Sequence, residues 1–358
     1  MSFVRKVLSI YRRIQCKVCG RAEYGIMPSG IQCTHTSFEE EINHGDVVHP
    51  CVRYIPVGYL GHKWWMVYTP YYASNDTKEN PILCYGANDT VGPPTHWIVK
   101  YQVQGQPSKG YNSDPTLLYD KDKLYVMWRE NLTERCDKAG YVRATFGAVV
   151  KDNGLGEVFG PLVSTNDSEI DKEVSPTFIR TNSESYTCLA MHLKFHSRRI
   201  SNMSDNKRRI MRKITNVLDV SGIWSEQKGY GIACWKSSSI KAPFKYIHTL
   251  KFSNCNKLYR PWHMDIFEWQ NKYYAIVQSN QCNADICLAE SLDGTNFKLF
   301  WKPLMTNKTC GKIGLYKPTA GVVDGLFYLY YTAQDPENRA LNKLYLTTMS
   351  MEDMMPLL

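Results

Sequence analysis

The feature of the sequence that most restricts its fold is a proline-headed hairpin that occurs five times. In each copy a proline begins a short apolar run, a turn follows, and a second run is rich in aromatic residues. Such self-similarity predicts a series of similar structural units. The prolines are separated by 65, 61, 85 and 57 residues and are Pro50, Pro115, Pro176, Pro261 and Pro318.

Each repeat contains enough chain for a small antiparallel sheet. A third strand often follows the hairpin, as at 231–235 and 285–289, and units of this size are typical of propeller blades. A β-sandwich also alternates short strands, but it has no reason to repeat a proline-headed strand. The sequence therefore predicts an all-β, five-bladed β-propeller over residues 45–350. A partly basic extension (1–44), a basic insertion near 194–215 and a tail (351–358) complete the expected organisation.

The prolines also predict where a functional site lies. Proline lacks an N–H, so it fits the first residue of a strand, where no ladder donor is needed. The innermost strand of each blade begins at the central channel, and residues flanking the prolines are therefore expected to share one funnel. These residues are His49, Cys51, Arg53, Asp114, Glu173, Ser175, Arg260, Trp262, His263, Asp265 and Lys317.

Several of these side chains are suited to chemistry on sugars. Two carboxyl groups facing each other across a cavity cleave glycosidic bonds, one as acid and the other as base or nucleophile. In an extended strand His263 and Asp265 share a face, where the carboxylate orients and charges the imidazole. The predicted catalytic residues are Asp114, Glu173, His49, His263 and Asp265, and the predicted substrate-binding residues are Arg53, Arg260, Trp262 and Lys317.

The hairpins, with their aromatic second strands and Ser-x-Asp-Gly turn at 291–294, resemble the five-bladed propeller glycosidases typified by family 43 glycoside hydrolases. The His-Pro, Trp-His-x-Asp and Lys-Pro versions look like a branch of that superfamily found in bacteria and their phages. The resemblance implies a base in the first blade, an orienting Asp in the second and a Glu acid in the third. His49 stands where the base Asp is expected, Asp114 matches the second position, and Glu173 lies three residues before Pro176.

Charge and hydropathy limit the partners. The net charge is +9, and a run of Lys and Arg lies between residues 194 and 213. Aromatic residues do not alternate with these charges, so we expect a solvated surface and no nucleic-acid partner. No apolar run approaches the roughly 18 residues that span a bilayer, and charges interrupt the N-terminus too early for a signal peptide. We expect no stable membrane insertion and a cytoplasmic location, with a phage particle as the alternative.

Three functions agree with this sequence. The first is a glycoside hydrolase-like enzyme acting on a glycan in the central funnel. The second is an intracellular enzyme of surface-polysaccharide assembly, in which Arg53, Arg260 and Lys317 bind a sugar phosphate. The third is a non-catalytic glycan-binding propeller. The expected partner is a carbohydrate or sugar phosphate, and no motif demands a metal ion or other cofactor.

Overall fold

The structure is a computed structural model. It describes residues 22–36, 46–71, 75–88, 90–136, 141–165, 171–194, 231–255, 261–279, 285–337 and 341–358. Arg260 and the basic insertion beyond residue 194 lie outside the described residues. None of the helices in these ranges is both long and apolar enough to cross a bilayer.

The described residues form five mainly antiparallel sheets, each built on one proline-containing hairpin. Parallel pairing occurs at β2 with β6 and at β16 with β20. Blades 1 and 2 occupy the first half of the chain, and in each the innermost strand is followed by its neighbours in sequence order. Blade 1 contains β2 (Thr34–His35), β3 (Val48–Tyr59), β4 (His62–Thr69), β5 (Ile82–Gly86) and β6 (His96–Gln102), and blade 2 contains β7 (Gly110–Asp120), β8 (Lys123–Cys136), β9 (Tyr141–Lys151), β10 (Gly154–Leu155) and β11 (Phe159–Thr165).

Blades 3 to 5 repeat the arrangement, and short helical turns occur only between and after strands in the described ranges. Blade 3 contains β12 (Asp171–Asn182), β13 (Ser185–Lys194), β14 (Gly231–Ser237) and β15 (Lys245–Thr249); blade 4 contains β16 (Phe252–Ser253), β17 (Pro261–Trp269), β18 (Lys272–Ser279), β19 (Ile286–Ser291) and β20 (Phe297–Leu299); blade 5 contains β1 (Ile31–Gln32), β21 (Ile313–Val323), β22 (Leu326–Gln334) and β23 (Asn342–Ser350). The helices are α1 (Asn307–Cys310) and α2 (Met351–Met354), and 3-10 turns span Asp76–Lys78 and Met355–Leu357. The predicted all-β, five-bladed propeller is confirmed.

The core of the described chain consists of five apolar clusters, one between each pair of adjacent blades. Two neighbouring residues of β4 show how one blade contributes to two of these clusters. Trp64 packs towards blade 5 and Trp65 towards blade 2, because successive side chains of a strand point to opposite faces. Both faces of a blade are therefore buried, which explains the uninterrupted apolar run of Trp64–Tyr68.

One short segment closes the ring. β1 pairs antiparallel with β23 of blade 5, with Ile31 opposite Leu346, and β2 pairs parallel with β6 of blade 1, with Thr34 opposite His96. Both strands lie before residue 45, where the sequence analysis expected the propeller to begin. Residues 31–35 thus join the first and last blades through backbone hydrogen bonds.

Candidate active site

The residues that precede three of the prolines have an unusual backbone conformation. His49, Asp114 and Ser175 have φ values of 52°, 47° and 52°, in the left-handed region. Each lies where the register of the inner hairpin shifts, which is the pattern of a β-bulge. Such conformations cost about 1–3 kcal/mol each and persist where the surrounding structure holds them. At all three positions the strained backbone directs the side chain towards the propeller axis, where the three side chains meet.

A cavity of about 510 Å³ opens at this meeting point. All five innermost strands contribute to its wall, and blade 1 adds residues from the connection between β4 and β5. The lining combines charged, imidazole and aromatic groups, a composition suited to a polar ligand with apolar faces. The titratable and aromatic side chains of this wall that determine its chemistry are His49, Glu79, Asp114, Arg129, Trp262, His263 and Tyr316.

Asp114 is the centre of the charged side of the cavity. Its Oδ2 lies 2.6 Å from Nη2 of Arg129, its Oδ1 lies 3.1 Å from Nε2 of His49, and Ser175 donates a hydrogen bond of 2.9 Å to the same Oδ1. Burial alone would raise the pKa of Asp114, but the charges of Arg129 and His49 hold this pKa well below its usual value. Asp114 is therefore a carboxylate throughout the range in which most enzymes work.

His49 lies between two carboxyl groups. Nε2 faces Asp114 and also lies 3.2 Å from the Tyr316 hydroxyl, whereas Nδ1 lies 3.0 Å from Oγ1 of Thr69 and 3.8 Å from Oε2 of Glu79. The carboxylate of Asp114 can orient the ring and stabilise its positive form, as an aspartate does for a catalytic histidine. The cavity thus contains a preorganised carboxylate–imidazole pair with a second carboxyl group beside it.

His263 faces the same cavity in a different environment. Its ring is 1% exposed, and neither ring nitrogen has a hydrogen-bond partner among the described residues. It contacts Tyr316 edge-on, with ring centroids 4.5 Å apart, and the ring of His49 at 5.9 Å. Burial is the main cause that lowers the pKa of His263 well below 6.5, and the charges of His49 and Lys317 lower this pKa further. His263 is therefore a neutral imidazole with two nitrogens for a ligand.

Replacing His263 with Gln is expected to flatten the pH dependence of stability below pH 6.5. The unfolded chain binds a proton at this His near its ordinary pKa of 6.5, whereas the folded chain does not. Stability is therefore complete above pH 6.5 and falls as the pH decreases, by up to about 1.4 kcal/mol per pH unit. Urea unfolding of both proteins at several pH values between about 7.5 and 5 measures the difference. A variant with the wild-type slope would contradict a neutral His263.

Asp265 has a different environment from the cavity residues. It accepts two hydrogen bonds from Arg53, at 2.9 and 2.7 Å, one from Thr177 at 2.9 Å and one from Thr319 at 2.6 Å. Asp265 belongs to blade 4, and its donors Arg53, Thr177 and Thr319 belong to blades 1, 3 and 5. Despite its burial, the charge of Arg53 lowers the pKa of Asp265. Because four donors occupy the carboxylate and it does not contribute to the described cavity wall, we propose that Asp265 and Arg53 hold the blades together.

The other predicted residues are distributed around the cavity. Trp262 lines it. Glu173 does not belong to the described wall; it is the neighbour of Val174, which does, and its carbonyl oxygen accepts a hydrogen bond of 2.6 Å from Arg129. Lys317 is buried next to the axis and, within the described wall, does not line the cavity. A substrate-binding role for Arg260 stays a prediction, since it lies outside the described residues.

Several cavity residues were not predicted from the sequence, and three of them carry polar groups used in the proposed chemistry or in its electrostatics. Arg129 lies on β8, where the second strand of the hairpin returns to the axis, and a charged residue at the end of its apolar run was the available signal. Glu79 follows a 3-10 turn between β4 and β5, and nothing in its local sequence distinguishes it. Tyr316 lies two residues before Pro318 and was hidden among many tyrosines.

The sequence matches no protein-family model, and no curated protein is detectably similar to it. Solved structures do match. An N-acetylgalactosamine deacetylase from F. plautii, in complex with blood group B trisaccharide, is 14% identical, with 94% of this chain and 98% of that chain covered and a TM-score of 0.66. A GH43_1 enzyme from Xanthomonas citri is 10% identical, with 86% and 89% covered and a TM-score of 0.55. This chain has the five-bladed fold of propeller glycosidases.

A third match extends the glycosidase likeness. The GH32 β-fructofuranosidase of Bombyx mori is 11% identical, with 98% of this chain and 70% of that chain covered and a TM-score of 0.54. At these identities the similarity concerns the propeller glycosidase fold, and the chemistry must be argued from the cavity.

Proposed function

We propose that this propeller is a glycoside hydrolase-like enzyme that acts on a sugar held in the axial cavity. The observation that carries the proposal is the convergence of five inner strands on one cavity with an ionised carboxylate, an imidazole bound to it and a second carboxyl group. Trp262 and Tyr316 supply aromatic surfaces of the kind that contact the apolar face of a sugar ring. The fold shared with glycosidases supports the same conclusion.

In the proposed reaction Asp114 and His49 act together. Asp114 orients His49, which takes a proton from a water molecule as the oxygen of that water bonds to the anomeric carbon. The bond between the anomeric carbon and the leaving oxygen breaks, and a carboxylic acid gives its proton to that oxygen. Glu79, which lines the cavity, and Glu173, which adjoins the lining residue Val174 and was predicted from the sequence, are the two candidates for this acid. His263 accepts a hydrogen bond from a sugar hydroxyl at one of its two ring nitrogens.

The acid is identified by substrates with different leaving groups. We expect Glu79→Gln to slow an alkyl glycoside about 10²-fold, because the departing alkoxide needs a proton. The same variant should leave a 2,4-dinitrophenyl glycoside within about tenfold of wild type, since dinitrophenolate leaves without one. Wild type, Glu79→Gln and Glu173→Gln are compared on a panel of both glycoside types, with kcat/KM measured for each.

The matched variants make the outcomes distinct. A leaving-group-dependent loss in Glu173→Gln alone would transfer the acid role to Glu173, as the sequence predicted. Activity that is unchanged in both variants would contradict the assignment of the acid to either glutamate, and a wild type that turns over no glycoside would contradict the proposed hydrolysis. Saturable glycan binding by calorimetry with no turnover of any glycoside or nucleotide sugar would favour a binding propeller, and turnover of nucleotide sugars alone would favour a polysaccharide-assembly enzyme.

Deacylation of an N-acetylated sugar is a second candidate. It is favoured by the match to the F. plautii deacetylase, which extends over nearly the whole of both chains. The His49–Asp114 pair would activate water in the same way, but the water would attack the acetyl carbonyl. The C–N bond would break, the amine nitrogen would take the proton, and acetate would leave. Release of acetate without release of a reducing sugar distinguishes this reaction from glycoside hydrolysis.

A further inference from the structure

One buried amine next to the axis has no hydrogen-bond partner among the described residues. Lys317 lies on β21, is 2% exposed, and its Nζ makes no hydrogen bond with any described residue. Most buried charges are paired, because removing an ammonium group from water costs several kcal/mol unless another group compensates it. An unsatisfied buried group of this kind therefore requires an explanation.

The two carboxylates that act on Lys317 are already paired with other cations. Arg53 forms a bidentate pair with Asp265, and Arg129 pairs with Asp114. Both carboxylates act on Lys317 and partly offset the effect of burial, which lowers its pKa. Each carboxylate already has its own guanidinium partner, so neither can neutralise a second cation fully. When Lys317 is protonated, the axis carries one positive charge more than these pairs balance.

Unpartnered donors accumulate in the same place. Both ring nitrogens of His263 and the Nε of Arg129 are buried without hydrogen-bond partners among the described residues. The backbone N–H of Lys317 donates a hydrogen bond of 3.1 Å to Oε1 of Gln278, and Gln278 pairs with His263 across β17 and β18, so Lys317 and His263 lie near one another. Arg129 lines the same cavity as His263. A neutral imidazole always presents one N–H. Moreover, no group of three or more His, Cys, Asp or Glu in the described ranges has the arrangement of a metal site.

We propose that the propeller axis binds one compact monovalent anion, chloride in a cell, between Lys317 and His263. The ammonium group of Lys317 supplies the charge and an N–H of His263 supplies a second donor. A halide suits this position because it accepts hydrogen bonds from several directions and requires little space. Since His263 lines the cavity, the ion enters by that route. The anion uses only the N–H of His263, so the other ring nitrogen stays available to a sugar hydroxyl, and the proposal does not depend on which sugar is bound.

Thermal unfolding tests the site in solution. At constant ionic strength, replacing gluconate with chloride or bromide is expected to raise the wild-type Tm saturably by about 3 °C, because a ligand that binds only the folded state stabilises it. Lys317→Met removes the charge while keeping an apolar side chain of similar length, so it should fold in gluconate and show no halide response. Lys272→Met, at an exposed lysine of blade 4, is the control and should respond as wild type does.

Bromide-soaked crystals provide the second measurement. Wild type should give an anomalous peak between Lys317 and His263, and Lys317→Met should not. A wild-type Tm that does not depend on halide, an equal response in Lys317→Met, or bromide only at surface positions would each overturn the proposal. A response to formate without one to halide would also contradict it, since that result indicates a carboxylate-binding site.

Discussion

Under the proposed hydrolysis, Asp114→Asn is expected to lower kcat/KM by about 10³-fold for every glycoside, whatever the leaving group. The amide keeps the size of the side chain and can still accept the hydrogen bond from Ser175. It cannot stabilise the imidazolium that forms when His49 takes a proton, and it no longer holds the ring in one tautomer. Steady-state kinetics on alkyl and dinitrophenyl glycosides measure the loss. Equal losses on both distinguish Asp114 from the acid.

The same change also leaves a buried guanidinium unpaired, so the variant must be separated from a folding defect. Arg129 loses the carboxylate at 2.6 Å, and an uncompensated buried charge is strongly destabilising. Adding Arg129→Gln removes the second charge and is expected to restore most of the stability. Turnover should stay low in the double variant. Wild-type activity in that protein would contradict the role of Asp114.

Asp265→Asn is expected to have the largest effect on stability, about 3–5 kcal/mol. The carboxylate accepts hydrogen bonds from three other blades, and its loss leaves the buried Arg53 without an anion. Guanidinium unfolding measures the change, and the additional substitution Arg53→Met should recover much of it. Since the side chain lies away from the described cavity wall, kcat of the folded fraction should change little.

An exposed pair provides the control for Asp265. Asp152 lies 2.8 Å from Lys100, but its side chain is 71% exposed, and exposed ion pairs contribute little to stability. Asp152→Asn should therefore leave the unfolding midpoint nearly unchanged. If Asp265→Asn instead kept full stability and lost turnover, Asp265 would be catalytic, as the sequence analysis predicted.

The sequence was sufficient to predict the propeller because each proline serves the same purpose in its blade. All five prolines lie on innermost strands, although the expectation that each is the first residue of its strand was wrong for four of them. Pro261 begins β17, whereas Pro50, Pro115, Pro176 and Pro318 lie inside their strands at register shifts, where the missing N–H is tolerated. The ring-closing strands could not be predicted in this way. β1 and β2 have two residues each, and their partners lie in distant parts of the chain.

For the site, position relative to proline proved more informative than side-chain alternation. His49 and Asp114 immediately precede their prolines, and both face the cavity. His263 and Asp265 share a strand face, yet only His263 lines the cavity. Two residues along a strand correspond to about 6.6 Å, which is enough to separate the cavity from the deeper part of the axis. Alternation predicts a face but not a depth.

The distance from a proline could not identify cavity residues that lie outside the innermost strands. Arg129 belongs to β8, and Glu79 to a connection, so neither has a fixed offset from a proline. Their positions depend on how adjacent strands pair and where a loop returns, which a single sequence does not specify.

The segment at residues 31–35 has a consequence for how the protein matures. Its partner Leu346 lies near the end of the propeller, so the first and last blades can be joined only after almost the whole sequence has been synthesised. Contacts between such distant residues form slowly, because a long stretch of chain must be brought together. Individual sheets can assemble on the ribosome, but a cavity with walls from all five exists only after this late step. The axial cavity is therefore among the last parts of this propeller to form.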